Sequence, residues 1–163
     1  MKKHKRQPAF TFTLLHEMCA SPVLPLPQDW QRTQLTSMWD GLAQLTTGDA
    51  PGKEDWRVCS DAVNLMEMLV ELKEVEDSQG LLLDAITALA QAGERTYKGL
   101  PLRLSGPGLQ AVRAVLEDYS AVMEVLPART MIRCHRLTER RVLAIQQNRT
   151  KSHDVLVVAV CTD

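Results

Sequence analysis

The chain has few aromatic residues and no long hydrophobic run. Phe, Trp and Tyr together make up 4% of its 163 residues, which leaves few side chains that could stack on nucleic-acid bases. No window approaches the roughly 18 consecutive apolar residues of a membrane-spanning helix. We therefore expect no membrane partner, and any contact with nucleic acid would be mainly to its backbone.

Local catalytic motifs are lacking too. GxSxG, HExxH and EF-hand patterns do not occur, and the stretch 105–108 lacks the lysine and the spacing of a phosphate-binding loop. His16 and Cys19 have a one-turn spacing that a metal could use, but the sequence shows no further ligand converging on them. The sequence therefore assigns no catalytic residue, metal or cofactor, and a metal- or cysteine-dependent enzyme built from dispersed residues stays a third interpretation.

The composition is that of one soluble globular domain: 45% of the residues are hydrophobic, 24% are charged, and the formal net charge is −1. The stretch after the basic residues 1–6 is too short and too polar for the apolar core of a signal peptide. The four cysteines form no CxxC pair. These features favour a cytoplasmic protein with reduced, structural thiols.

The hydrophobic periodicity predicts a mainly α fold of about five helices. Helical spacing covers, approximately, residues 29–46, 53–76, 78–93, 107–126 and 128–147. The helix at 53–76 has the widest apolar arc, and its polar stripe is formed by Arg57, Asp61, Asn64, Glu67, Glu71 and Glu74. We therefore expect the other helices to pack around 53–76.

The two ends of the chain predict a small two-stranded β element. Residues 9–14 alternate large apolar and polar β-branched side chains, and residues 155–160 (VLVVAV) are apolar and mostly β-branched. Pairing these strands would satisfy their backbones, and the alternative partner is the same 155–160 strand in a second copy, giving a homodimer. Residues 1–8 are predicted to form a flexible basic tail ahead of a single globular domain at 9–163.

Charge is sorted along the chain. Residues 7–128 hold 8 basic and 17 acidic side chains. The N-terminal segment carries Lys2, Lys3, Lys5 and Arg6. The C-terminal segment, 129–163, carries Arg129, Arg133, Arg136, Arg140, Arg141, Arg149 and Lys151 against three acidic residues. The protein is therefore an acidic body with two basic ends.

Four of the C-terminal arginines share one helix face, since Arg129, Arg133, Arg136 and Arg140 follow each other at steps of 4, 3 and 4. The guanidinium fork binds phosphate oxygens in pairs. The leading hypothesis is therefore a non-enzymatic protein that contacts an anionic partner, most simply the nucleic-acid backbone, through this helix and the N-terminal tail. The competing interpretation is that these arginines pair with acidic residues of the protein's own body, for which 71–77 supplies a dense acidic run, or with those of a partner subunit.

The acidic residues offer an alternative function. A protein–protein or inhibitor module, including one that mimics a polyanion, would use the face formed by Glu67, Glu71, Glu74, Glu76 and Asp77. Such a module would bind a protein tightly and compete with nucleic acid while binding none itself.

Residues 55–66 (DWRVCSDAVNLM) and 128–136 (ARTMIRCHR) resemble small uncharacterised proteins carried on bacterial plasmids and prophages. Together with their surroundings these segments cover about a third of the chain. The resemblance transfers no activity, and it implies an accessory, regulatory or anti-defence role rather than a metabolic one.

Overall fold

The computed structural model describes residues 11–146, and it is mainly helical, as the periodicity predicts. Six helices lie within this range: α1 Leu14–Cys19, α2 Gln28–Thr47, α3 Lys53–Glu71, α4 Leu82–Tyr97, α5 Gly106–Val125 and α6 Ala128–Gln146. The predicted tail at 1–8, the predicted strand at 155–160 and the dimer through it lie outside the described residues. Among the described helices, none is long and apolar enough to cross a membrane.

Helix α3 is the centre of the fold, and it packs against α2, α4, α5 and α6. Its apolar arc buries Trp56, Cys59, Val63 and Leu69 almost completely. Each fully buried side chain of this size stabilises the fold by about 1.5–3 kcal/mol. The Trp56 indole N–H also donates to the Leu89 carbonyl of α4 at 2.8 Å, so the largest core residue keeps its hydrogen bond.

The N-terminal residues correct the predicted β element. Residues 11–13 have no regular structure, and Leu14 already begins α1, so the described part of the predicted strand 9–14 is not a strand. Thr13 is the N-cap: its hydroxyl accepts from the His16 N–H at 3.3 Å, and its own N–H donates to His16 Nδ1 at 3.1 Å. This capping box outweighs the strand-like alternation because it satisfies two free backbone donors locally.

Two predicted helix boundaries also shift: the end of the helix predicted at 53–76, which is α3, and the start of the helix predicted at 78–93, which is α4. Helix α3 ends at Glu71 instead of 76, because Lys73 takes a left-handed φ of 58° and the Glu74 N–H bonds back to the Leu69 carbonyl at 3.0 Å. Helix α4 begins at Leu82 instead of 78, where the Asp77 carboxylate accepts from the N–H groups of Leu81 and Leu82. Both differences come from capping.

Gly93 does not end α4, although the sequence suggested that the helix stops there. It is buried inside the helix and faces Trp56, and a Cβ at this position would lie 3.3 Å from Trp56 Cζ2. The glycine is therefore a contact point between α4 and α3. Helix α4 continues to Tyr97.

Candidate anion-binding site

Helix α6 buries one side against the body and presents arginines on the other. Ala128, Met131, Ile132, Cys134 and Thr138 form its buried side. The Ala128 and Arg129 N–H groups donate to the carbonyls of Leu24 and Ser21, at 2.8 and 3.0 Å. These bonds fix the first turn of α6 on the connector between α1 and α2.

The predicted arginine stripe is divided by internal contacts. Arg136 is half-buried and forms an ion pair with Glu17 of α1. Arg129 is exposed, and its guanidinium donates to the Met18 carbonyl at 3.3 Å. Arg133 and Arg140 are exposed, and within 11–146 neither forms an ion pair or a side-chain hydrogen bond. Of the stripe, therefore, these two guanidinium groups face solvent with their donors available.

Arg141 lies off the stripe and joins α6 to α3. Its guanidinium pairs with Glu71, donating to Oε1 at 3.0 Å, and lies 3.7 Å from Glu67 Oε2. The side chains of Glu67 and Arg141 are largely buried. Arg141 thus pairs with acidic residues of the protein's own body, as the competing interpretation proposed for the arginines of this helix.

The structure places the start of the described chain beside the late part of α6. The Thr11 hydroxyl donates to Glu139 Oε1 at 3.2 Å. Gln146, the last residue of α6, follows seven residues later, which is about 10 Å along a helix axis. The segments that carry Lys2, Lys3, Lys5 and Arg6 and that carry Arg149 and Lys151 lie outside the described residues, but both are attached to this end of the body.

The acidic face proposed for a protein partner is largely engaged inside the molecule. Glu67 and Glu71 pair with Arg141, and Asp77 caps α4. Glu74 and Glu76 are exposed. The polar stripe of α3 therefore faces solvent only in part: Asn64 and Glu67 are buried, whereas Arg57, Asp61 and Glu71 are exposed.

The thiols and the imidazole of the core are poorly suited to chemistry. Burial raises the pKa of both Cys59 and Cys134 to about 12, so almost no thiolate forms at neutral pH. Burial also lowers the pKa of His135 to about 4. Among the residues that the structure describes, no group of three or more His, Cys, Asp or Glu side chains could hold a metal ion.

An open groove along α2 was not foreseen from the sequence. Leu35 and Trp39 form its apolar wall. Gln31 also lines it, but the amide nitrogen of this buried residue already donates to the Leu26 carbonyl at 2.7 Å. The remaining polar lining residues carry both charge signs: Gln28, Arg32, Thr36, Asp40 and Glu124. This open, mixed lining points to no particular ligand class, since a specific small-molecule site is a mostly apolar cleft with a few precisely placed polar groups.

Comparisons of the chain with protein-family models, with curated proteins and with solved structures give no match.

Proposed function

We propose that this chain is a non-enzymatic accessory protein of a mobile element that holds the phosphate backbone of a nucleic acid. The contact would be made by Arg133 and Arg140 of α6, together with Lys2, Lys3, Lys5, Arg6, Arg149 and Lys151 of the terminal segments. The mobile-element context rests on the sequence resemblance alone. The nucleic-acid contact rests on the charges.

The observation that carries the proposal is the bond between Thr11 and Glu139. It brings the attachment point of the N-terminal basic segment to the part of α6 that bears Arg140 and leads to the C-terminal basic segment. The described residues to which these two basic segments are attached therefore lie near one end of an otherwise acidic body. Clustered basic groups attract phosphate and release its counterions, which makes binding strongly salt-dependent.

The competing functions have less support. In the acidic face for a protein partner, Glu67 is buried, Glu71 is engaged by Arg141 and Asp77 caps α4, which leaves Glu74 and Glu76 exposed without such a contact among the described residues. A cysteine nucleophile would require a low thiol pKa, whereas the pKa values of Cys59 and Cys134 are raised. The scarcity of aromatic residues further favours backbone contacts over base stacking.

The test compares two charge-matched double variants. Arg133→Glu/Arg140→Glu removes the exposed part of the stripe, and Arg95→Glu/Arg113→Glu removes two exposed arginines on α4 and α5. Both variants change the net charge equally, so the comparison isolates position. Arg136 and Arg141 are excluded because their ion pairs hold α6 in place.

Binding of mixed-sequence double- and single-stranded DNA and RNA is measured by fluorescence anisotropy between about 50 and 200 mM salt. For the α6 variant we expect weaker binding and a plot of log K against log salt that is shallower by about 2. The control variant should keep most of the wild-type slope. Absence of wild-type binding at low salt, or equal losses in the two variants, contradicts the proposal.

A further inference from the structure

Helix α1 lies on the body with its acidic side chain inward and its large apolar side chains outward. Glu17 is only 17% exposed in its pair with Arg136. Leu14, Leu15 and Met18 are 55%, 66% and 65% exposed. This arrangement is the reverse of the usual amphipathic surface helix, whose apolar side faces the core.

The three exposed side chains, Leu14, Leu15 and Met18, are here called the α1 apolar face. In the connector that follows α1, Val23 and Leu24 are also exposed. Leu24 is held in place because its carbonyl accepts from the Ala128 N–H. Isolated exposed apolar residues are ordinary, but a contiguous group of this kind marks a surface that another apolar element covers.

The chain itself contains a matching element. Residues 155–160 are Val-Leu-Val-Val-Ala-Val, and they follow α6 after residues 147–154. Those eight connecting residues span at most about 28 Å when extended. Because α6 ends about 10 Å beyond Glu139, to which Thr11 is bonded, the Leu14 end of the α1 apolar face lies within this reach. Met18, beside Arg129, lies further along the same direction, where the six residues of the segment itself add to the span.

Covalent attachment favours this occupant over a second copy. A segment joined by a short connection meets its site at an effective concentration in the millimolar range, whereas a second molecule at micromolar concentration does not. We infer that residues 155–160 dock on the α1 apolar face of the same chain. This inference goes beyond the proposed function and does not depend on it.

The position of two cysteines makes the docking measurable. Cys19, the last residue of α1, is exposed, and Cys161 follows the docking segment directly. Cys59 and Cys134 are buried with raised pKa values, so they do not compete for a thiol reagent. Docking would bring the thiols of Cys19 and Cys161 close together.

The first experiment treats the reduced full-length protein with a short bis-maleimide and follows the rate of cross-linking by peptide mass mapping. The expected product is an intramolecular Cys19–Cys161 link in the monomer, and it disappears in Cys19→Ser. Leu15→Gln/Met18→Gln should slow the cross-linking because it removes the apolar contact without changing charge. The matched control Leu83→Gln/Leu100→Gln, at exposed positions elsewhere, should react like the wild type.

Hydrogen exchange of the 155–160 amides gives a second readout. We expect slowed exchange in the wild type and in the control variant, and loss of that protection in Leu15→Gln/Met18→Gln. Equal cross-linking rates in both variants would mean that a freely moving end meets Cys19 by chance, and would overturn the inference. A Cys19 link between two molecules would overturn it in favour of a second copy on this face.

Discussion

Arg136 of α6 donates to the carboxylate of Glu17 on α1, and each side chain is only 17% exposed. The two residues lie 119 positions apart in the sequence. The pair joins the first helix to the last and withdraws one arginine from the basic stripe. Because both side chains are largely withdrawn from water, removing one of them leaves the other charge unpaired and lowers the stability of the protein.

Removing either member of this pair should destabilise the protein. For Arg136→Ala and for Glu17→Ala we expect the free energy of unfolding to fall by about 1–3 kcal/mol, because a partly buried charge is left unpaired. Urea denaturation followed by circular dichroism measures this change. The exposed pair Arg32–Asp29, at 3.5 Å, is the reference, and Arg32→Ala should cost less than about 0.5 kcal/mol. Similar losses at the two sites would show that burial contributes nothing to the Arg136 pair.

Gly41 marks the closest approach of α2 and α3. A Cβ there would lie 2.5 Å from Val58 Cγ2 and 2.8 Å from the Asp55 carbonyl oxygen, so the helices would have to separate. We expect Gly41→Ala to lower the free energy of unfolding by about 1–3 kcal/mol, although alanine is the better helix former. Thermal unfolding of Gly41→Ala and of Thr36→Ala, an exposed change in the same helix, tests this. A Gly41→Ala protein as stable as Thr36→Ala would contradict the close contact.

His135 should make stability depend on pH. Its ring packs against both Phe12 and Trp30, with centroid distances of 5.2 and 5.7 Å, and its Nε2 has no hydrogen-bond partner within 11–146. Burial lowers its pKa from the ordinary 6.5 to about 4. Between these values the unfolded chain binds the additional proton, so stability rises with pH and is lost as the pH falls from about 6.5 to 4, by at most about 3 kcal/mol.

The control for this effect is His135→Phe, which keeps an aromatic ring but cannot titrate. Urea unfolding of both proteins at several values between pH 7 and pH 4.5 separates His135 from the carboxylates, because the carboxylates are common to both. We expect a flatter pH dependence in the variant. Parallel curves would mean that His135 is protonated as readily in the folded protein as in the unfolded chain.

The described cysteines should differ sharply in reactivity. In a Cys161→Ser protein, Cys19 should react quickly with Ellman's reagent at pH 8, because it is exposed. Cys59 and Cys134, each with a pKa of about 12, hold roughly one thiolate in ten thousand at that pH. They should therefore react only when the protein unfolds. Rapid labelling of all three thiols would contradict the buried placement of the two core cysteines.

The sequence predicted the larger helices well because their signals are local. Apolar spacing identifies α2, α3, α5 and α6 to within a few residues, and the wide apolar arc of α3 marks it as central. The missed helix, α1, is only six residues long and depends on a cap at Thr13 that the alternation of residues 9–14 concealed. The shifted ends of α3 and α4 likewise depend on capping groups whose backbone geometry a periodic pattern does not contain.

The sequence by itself determined the helical class, the central position of α3 and the accumulation of arginines on α6, because each follows from residue spacing within one segment. Only the tertiary structure decided which charges remain available. Arg136 meets Glu17, and Arg141 meets Glu67 and Glu71, while Arg133 and Arg140 face solvent. Tertiary packing of α1 likewise determined that the side chains of Leu14, Leu15 and Met18 point outward. Such pairings depend on how distant helices cross, and packing of the whole core sets those crossings.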